Sequence, residues 1–424
     1  MDITMKKHLF IAALISILYS QFSFSHAQLK PRPDAFPPVE EAEAKALTMA
    51  TTVEQMASWN RYPTYAVYLE MMQRWADEFP HLCHVDTIGT SVNGRLILSM
   101  YIQPQTDDDL YRPEFFYSST IHGDELTGYV MMLRLIDTLL HGYGNNPQYT
   151  DLINRTRISI NPLANPDGTY YGGDNTVQGA VRYNANNVDL NRNYPNPFGG
   201  AKPAVQQENQ AMIDYFDAHN FRLSANLHGG AEVMNYPWDS YTSLQNPHPQ
   251  AAWWQEVCKR FVDTSRTYSP NHFNDTYNCG YTAGGDWYVI TGGRQDYFNY
   301  YNGCLELTME VSTIKKLSTS QLPAYWNFLQ HSLVNYIEEI HTLPGGTERI
   351  ADVEGSQPLS VYPNPATNHI IVKGTDGTAE LYDVTGRLVN TQASNQTITI
   401  DLHGLPTGIY LLRSGGKTAT VVKQ

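Results

Sequence analysis

The stretch Pro113-Glu-Phe-Phe-Tyr-Ser-Ser-Thr-Ile-His-Gly-Asp-Glu125 joins an apolar run to two side chains that can bind a metal. The run at 113–117 is typical of a buried strand, and apolar residues at helical spacing over 130–140 predict a helix after it. Because His122 and Glu125 are three residues apart at the start of that helix, their side chains face one point. The pair suits Zn²⁺. Taken alone, it also fits a surface histidine followed by a glutamate that the helix dipole stabilises.

Strands and helices alternate on both sides of this stretch. Apolar periodicity predicts strands at 84–88, 96–101, 157–161, 222–227 and 305–310, and helices at 65–79, 206–219 and 321–340. This alternation predicts an α/β fold with a mixed, largely parallel central sheet and helices on both faces. The polar residues of interest follow strands, where open α/β sheets bind their ligands.

Two further strand ends carry residues that complete a catalytic metal site. His228 ends an apolar strand and is followed by Gly229-Gly230. A set of two histidines and one glutamate leaves one position of a tetrahedral zinc open, which is typical of catalytic rather than structural zinc. Glu310 closes the strand at 305–310, and a carboxylate there can act as general base. The competing interpretation of Glu310 is a solvated residue at the rim of the sheet.

The segment 182–195 is polar, rich in turn residues and carries two arginines. A planar guanidinium, as in Arg182 or Arg192, can bind a carboxylate through two hydrogen bonds. A second cationic group can stabilise a developing oxyanion. Asp189 can orient a ligating imidazole through the nitrogen that the metal does not use.

Composition and the N-terminus narrow the class of protein. The 424 residues carry a formal net charge of −14. A chain this acidic lacks the basic surface expected of a nucleic-acid binder. Lys6 and Lys7 precede a short apolar run and then Ser25-His-Ala27, a pattern that predicts a secretory signal peptide over 1–27. A retained N-terminal anchor is the alternative. Nothing after residue 27 is long and apolar enough to predict a transmembrane segment.

Shifts in composition predict the domain organisation. We expect a linker or pro-segment at 28–60, a catalytic domain at 61–345 and a linker at 346–358. Short β-like runs separated by turn residues predict a small all-β sandwich at 359–424. The four cysteines permit disulfides in an exported chain, but their spacing leaves all three pairings open.

At this point the chain resembles the zinc metallocarboxypeptidase family, and within it the regulatory branch of carboxypeptidases N, E and D. The residues that carry the resemblance occur in the family's order: His122-Gly-Asp-Glu125, Asn165-Pro-Asp-Gly168, Arg182-Tyr-Asn-Ala-Asn-Asn-Val-Asp-Leu-Asn-Arg192, Asn226-Leu-His-Gly-Gly230, and Gly292-Gly-Arg-Gln-Asp296 through Glu306-Leu-Thr-Met-Glu310. The resemblance covers about residues 60–345.

The resemblance implies a role for each matched residue. One Zn²⁺ would be bound by His122, Glu125 and His228, and Asp189 would support His122. Hydrolysis of the C-terminal peptide bond by zinc-promoted water attack would use Glu310 as general base and Arg182 to steady the oxyanion. The substrate would be contacted by Asn191 and Arg192, which hold its terminal carboxylate, and by the mobile Tyr288, which closes over it.

The resemblance also implies a specificity and a disulfide. In the regulatory branch, an aspartate at the place of Asp239 pairs with a basic side chain, and a glutamine like Gln295 lines the same pocket. This implies release of Lys or Arg, whereas Asp239 as the cap of a turn is the competing interpretation. Branch members have a disulfide at the places of Cys279 and Cys304, so we expect that pair, with Cys83 and Cys258 as the remainder.

The C-terminal stretch from Val361-Tyr-Pro-Asn-Pro365 to Lys423 resembles the sorting domains of the type IX secretion system of Gram-negative bacteria. This implies the type IX machinery as a partner and passage through the periplasm to the outer cell surface or beyond. A generic β-module that binds carbohydrate or protein is the alternative. For the whole chain, the competing hypotheses are a carboxypeptidase or amidohydrolase acting on cell-wall peptides and a non-catalytic module that retains a metal site.

Overall fold

The computed structural model describes residues 47–105, 112–200, 204–274, 279–344, 360–373, 377–383, 387–393, 397–414 and 417–424. The chain divides between Gly345 and Gly346 into two units. The predicted signal peptide, the segment 28–46 and the predicted linker at 346–358 lie outside the described residues. Within the described ranges, no helix has the length and apolar character needed to cross a bilayer.

The first unit alternates strands and helices as its sequence predicts. Its strands are β1 (Met49–Ala50), β2 (Tyr62–Pro63), β3 (Cys83–Thr90), β4 (Leu96–Ile102), β5 (Glu114–Ser119), β6 (Arg157–Asn161), β7 (Phe221–His228), β8 (Ala231–Tyr236), β9 (Tyr281–Ala283) and β10 (Leu305–Ser312). Its helices are α1 (Tyr65–Glu78), α2 (Thr127–Gly142), α3 (Pro147–Arg155), α4 (Pro166–Thr169), α5 (Gln207–Ala218), α6 (Ala251–Tyr268), α7 (Gly284–Trp287), α8 (Arg294–Tyr297) and α9 (Leu322–Glu338).

Eight strands form one mixed sheet in the order β3-β4-β6-β5-β7-β10-β8-β9. The four central strands, β6, β5, β7 and β10, run parallel. At one side β4 is antiparallel to β6, and β3 is antiparallel to β4. At the other side β8 is antiparallel to β10. The predicted mixed, largely parallel sheet is confirmed. Since β5, β7 and β10 point the same way, their carboxyl ends meet at one edge.

Helices cover both faces of the sheet. Phe115 and Tyr117 on β5 pack into the larger core, which contains residues of α1, α2, α6 and α9. Phe116, between them in sequence, points the other way and packs against Phe216 of α5. Because side chains alternate along a strand, a central strand buried on both faces is apolar throughout. The unbroken apolar run of β5 is therefore the sequence signature of this layering.

The folded unit begins earlier than its sequence predicts. Leu47, Ala50, Met56 and Trp59 are all buried in the larger core. β1 pairs in parallel with β2, and the Tyr62 hydroxyl donates to the Leu317 carbonyl across 2.8 Å. Residues 47–60, which the sequence assigns to a linker or pro-segment, therefore belong to this unit. Within them Val53–Ser58 form a 3₁₀ helix, and the residues that face the core, Leu47, Ala50, Val53, Met56 and Trp59, recur every three positions.

The second unit consists of two antiparallel sheets. Its strands are β11 (Ser360–Tyr362), β12 (His369–Lys373), β13 (Thr378–Asp383), β14 (Leu388–Ala393), β15 (Thr397–Asp401), β16 (Gly408–Ser414) and β17 (Lys417–Lys423). The sheets have the orders β11-β12-β15 and β14-β13-β16-β17. Alternate apolar side chains from both sheets, among them Ile370, Ile400, Leu381 and Leu412, share one buried core.

The predicted disulfide between Cys279 and Cys304 is wrong, because all four cysteines are free thiols. Cys304 is buried ahead of β10, with its sulfur 3.2 Å from Ser224 Oγ. Cys279 is exposed, and its thiol donates to the Tyr281 carbonyl. The remaining pair is not formed either, since the Cys83 sulfur lies against carbonyls of Trp75 and Phe79.

Candidate metal centre and active site

Three buried side chains meet at the carboxyl edge of the central sheet. Their donor atoms, from His122, Glu125 and His228, all lie within 4.8 Å of one another. His122 Nδ1 is 3.0 Å from Glu125 Oε1, His228 Nδ1 is 2.8 Å from Glu125 Oε2, and the two Nδ1 atoms are 3.1 Å apart. These separations are close to the edge, about 3.3 Å, of a tetrahedron with metal bonds of about 2.0 Å. The donor types and their spacing therefore fit a zinc ion.

The His122 loop is held in place by close backbone packing. A Cβ at position 123 would lie 2.3 Å from the carbonyl carbon of Gly168. The close contact between the His122 loop and the Asn165–Gly168 turn therefore requires glycine at position 123. The Asn165 side chain donates to the Ile121 carbonyl, and Thr169 donates to the Gly123 carbonyl. The motif at 165–168 thus supports the metal-binding loop from below.

Glu310 and His228 occupy paired positions on the parallel strands β10 and β7. Residues paired in register between neighbouring strands project from the same face of a sheet. Glu310 is 7% exposed and His228 2% exposed. The topology therefore places a second buried carboxylate beside the metal-binding histidine.

Positive charges surround the Glu125 carboxylate. Lys315 Nζ lies 3.0 Å and Arg182 Nη1 3.5 Å from Oε1, while Oε2 accepts the Gly229 backbone N–H. Burial opposes ionisation, but the neighbouring His122 and the charge of Lys315 hold the pKa of Glu125 well below its usual range. Burial also lowers the pKa of His228 to about 4. Both ligands are consequently in the forms that bind metal, a carboxylate and a neutral imidazole.

Asp189 links the metal-binding group to the segment at 182–192. Its Oδ1 lies 3.1 Å from His122 Nε2, and its Oδ2 accepts from Arg182 Nε across 2.9 Å. Burial raises the pKa of Asp189, but the hydrogen bond and charge of His122 and the charge of Arg182 outweigh it, so the pKa falls below its ordinary value. The Asp189 carboxylate therefore turns Nδ1 of His122 toward the metal site and fixes Arg182 beside it.

Asn191 and Arg192 follow on a short 3₁₀ turn that Asp189 caps. The Asn191 Oδ1 accepts the Arg294 backbone N–H, and Arg192 Nη1 donates to the Asn191 carbonyl. Gly292 packs so closely on the Arg192 carbonyl that a Cβ would lie 2.5 Å from it, and its φ of +73° also favours glycine. The loop at 292–294 thereby fixes the position of this polar pair.

Tyr288 is half-buried and directly follows α7. Its pKa is raised by burial, and the charged groups that act on its hydroxyl are Glu310, Arg192, Asp239 and Arg182. The ring packs against Trp287, with centroids 4.8 Å apart. The structure therefore brings Tyr288 together with the predicted catalytic and substrate-binding residues.

Asp239 and Gln295 form a buried polar pair. Gln295 Nε2 donates to Asp239 Oδ1 across 2.8 Å and to Asn235 Oδ1 across 3.2 Å. Among the described residues, no group hydrogen-bonds to the buried Gln295 Oε1. Burial and the nearby Asp296 raise the pKa of Asp239 well above its usual range, while Arg192 opposes this. The pair thus combines a buried carboxyl group with an amide oxygen that can still accept a hydrogen bond.

All the predicted metal, catalytic and substrate-binding residues lie at this edge of the first unit. Sequence reasoning missed Lys315, Asp296 and Asn226 as contributors. Asp296 accepts the backbone N–H groups of Asp239 and Ser240. Asn226 and Asp296 belong to the motifs quoted above, so the sequence could have indicated both as site residues. Lys315 follows the end of a strand by several residues, and nothing in its sequence setting distinguishes it from a solvated lysine.

Comparisons with known proteins agree with this geometry. The family described as "Zinc carboxypeptidase" matches residues 68–331, which is more than half of the chain. The family described as "Secretion system C-terminal sorting domain" matches residues 360–424.

Individual relatives also match the chain. The chain is 30% identical to carboxypeptidase D of Anas platyrhynchos over 397 residues, which cover 87% of this chain and 28% of that protein. It is 34% identical to carboxypeptidase M of Mus musculus over 284 residues, 63% of this chain and 62% of the relative. The chain thus spans about a quarter of the length of the carboxypeptidase D relative. The crystal structure of carboxypeptidase A from Helicoverpa armigera shares the fold, with a TM-score of 0.55, 19% identity and coverage of 68% and 77%.

Proposed function

Because the chain belongs to the zinc carboxypeptidase family, we propose that it is a secreted metallocarboxypeptidase that hydrolyses the C-terminal peptide bond and releases Lys or Arg. One observation carries the proposal. The group of His122, Glu125 and His228 is linked through Asp189 to the Asn191–Arg192 turn, and Asn191 and Asp239 both lie against Gly293.

The reaction needs a metal and a base. The two histidines and Glu125 would hold one Zn²⁺, which supplies a Lewis acid to polarise the scissile carbonyl and lower the pKa of water. Glu310, buried opposite His228, would accept a proton from the attacking water and pass it to the departing amine. Arg182, held by Asp189 and directed toward Glu125, would stabilise the negative charge that develops on the carbonyl oxygen.

Exopeptidase action requires recognition of a free carboxylate. The guanidinium of Arg192 and the amide of Asn191 suit that group, because a planar guanidinium forms two parallel hydrogen bonds with a carboxylate. Tyr288, already within reach of the charges at the site, would close over the bound residue and exclude water. A peptide would then be cut one residue from its end.

The preference for Lys or Arg rests on the acidic pocket. A cationic side chain that enters it would pair with Asp239 and favour the ionised form of a carboxyl group whose pKa burial has raised. Gln295 Oε1 supplies a second acceptor beside it. The turn-cap interpretation of Asp239 loses support, since its carboxylate accepts from Gln295.

The C-terminal unit supports export. Its match to the secretion sorting family leads us to propose transport by the type IX machinery, through the periplasm, to the outer cell surface or the medium of a Gram-negative bacterium. The match favours this role over a generic carbohydrate- or protein-binding module.

A peptide library that varies only in its last residue tests the proposal. The zinc-loaded protein should shorten peptides by one residue, and those ending in Lys or Arg should react fastest, as followed by mass spectrometry. Zinc binding without turnover would instead support a non-catalytic module. Turnover only of cell-wall peptides or of amides without a terminal carboxylate would support the amidohydrolase hypothesis.

A further inference from the structure

Behind the metal-binding group lies an ion pair that is fully buried. Arg294 Nε donates to Glu306 Oε1 across 2.8 Å, and Arg294 Nη2 donates to Oε2 across 3.2 Å. Both side chains have no exposed surface. Since removing two charges from water costs as much as their attraction returns, hydrophobic residues of similar size often stabilise a core equally well. The role of the pair is therefore better judged from the residues it contacts than from its own contribution to stability.

Glu306 connects to the metal-binding group through one amide. Its Oε1 accepts from Asn226 Nδ2 across 3.2 Å, and Asn226 Oδ1 lies 2.5 Å from His228 Nε2. Because the amide oxygen can only accept, His228 carries its proton on Nε2. Nδ1 is then the nitrogen with the free lone pair, and it is the atom that faces His122 and Glu125. The order Glu306–Asn226–His228 thus sets the tautomer and the ring orientation of a metal ligand.

Arg294 connects to the substrate side through its backbone. Its N–H donates to Asn191 Oδ1 across 2.9 Å, which turns the Nδ2 donor of Asn191 away from Arg294. Arg294 is also the first residue of α8, and the next residue is Gln295, which contacts Asp239. Anchoring the Arg294 side chain therefore anchors the loop that orients both Asn191 and Gln295.

We propose that the buried Arg294–Glu306 pair is the positioning element of the active site, holding His228 through Asn226 and the carboxylate-binding Asn191 through the Arg294 backbone. The proposed effect on zinc binding depends only on the contacts of His228. The proposed effect on substrate binding rests on the proposed carboxypeptidase function. Removing an outer contact of this kind from a ligating histidine typically weakens metal binding by about 10–100-fold.

Glu306→Gln in the full chain tests the pair, and Glu339→Gln is its matched control. Glu339 forms the same two-point contact with Arg260, at 2.7 and 2.8 Å, but it lies away from the metal-binding group. Zinc affinity is measured by competition with a chelator, and kcat and KM are measured on a peptide ending in Arg. Glu306→Gln should weaken zinc binding about 10-fold or more and raise KM. Glu339→Gln should leave both within about two-fold, because its partner Arg260 is half exposed and neither residue contacts the metal-binding group or the Asn191 turn.

Asn226→Ala tests the effect on the metal ligand separately from the effect on substrate binding. It also provides a test if Glu306→Gln does not fold. It should weaken zinc binding as much as Glu306→Gln does and leave the KM of the zinc-saturated enzyme unchanged. The proposal is overturned if Asn226→Ala binds zinc as tightly as the wild type. It is also overturned if Glu306→Gln has the same zinc affinity and KM as Glu339→Gln. An inactive but zinc-binding wild-type protein would reject the proposed function instead, since the zinc titrations do not depend on turnover.

Discussion

Gln295 donates its side-chain amide to Asp239 across 2.8 Å, although the two residues are 56 positions apart in the chain. Both side chains are buried. The contact holds the Asp239 carboxyl group in one orientation, and it leaves the Gln295 oxygen as a further acceptor. A long cationic side chain has donors for both groups.

Asp239→Asn should remove the preference for basic residues. A cation in the pocket would lose its charged partner, so kcat/KM for a peptide ending in Arg should fall about 100-fold, as for the loss of one partner from a buried charge pair. Peptides ending in Ala should change by less than about three-fold. Asp286→Asn is the control, since that carboxylate bonds to Ser243 instead. Equal losses on Arg and Ala peptides would refute the role of Asp239.

Gln295→Leu should reduce the preference for Arg over Lys. The planar guanidinium can donate to the Asp239 carboxylate and the Gln295 oxygen from separate nitrogens, whereas the ammonium group donates from a single nitrogen, so Arg loses more when the Gln295 oxygen is removed. One such bond corresponds to a change of about 10-fold in the ratio of the two kcat/KM values. Competition between the two peptides in one vessel measures the ratio directly. A ratio that stays constant would show that this oxygen does not contact the substrate.

Glu310→Gln should abolish turnover without releasing the metal. Loss of a general base lowers kcat by about 10²–10⁴-fold, whereas the three metal ligands remain intact. Zinc content, measured by atomic absorption after gel filtration, should equal that of the wild type. A variant that loses its zinc along with its activity would place Glu310 among the ligands and contradict its assignment as the base.

The first unit should lose stability as the pH falls from about 6.5 to about 4. Burial lowers the pKa of His272 to about 4, so in this window the unfolded chain binds a proton that the folded chain excludes. The free energy of unfolding therefore decreases toward low pH, by up to about 3 kcal/mol for this group, and levels off below pH 4.

Chemical denaturation of the metal-free protein at several pH values measures this slope. His272→Gln should reduce the slope by about one proton. His81→Gln, at an exposed position, should leave it unchanged. A slope that His272→Gln does not alter would show that the buried ring is not the source.

Much of the first unit could be predicted because its strands and helices carry regular apolar spacing. The run at 113–117 and the strand before His228 were placed to within a few residues, as β5 and β7. The parallel pairing of β7 with β10 then brings Glu310 opposite His228. Ligands at strand ends are predictable because the sheet brings those ends together.

Contacts that depend on side chains distant in sequence could not be predicted. Nothing local marks Lys315 as a neighbour of Glu125, and no alternating apolar pattern marks β14, whose residues are mostly exposed. The cysteine pairing failed for a related reason. It was inferred from relatives, whereas the structure buries Cys304 and exposes Cys279.

The most direct test compares two peptides that end in Arg and differ only in a free or an amidated C-terminus. With zinc bound, the protein should release Arg from the free acid and leave the amide intact, and removal of zinc by a chelator should stop the reaction. Equal cleavage of both peptides, or cleavage that persists without zinc, would contradict a metal-dependent exopeptidase that recognises the terminal carboxylate through Arg192.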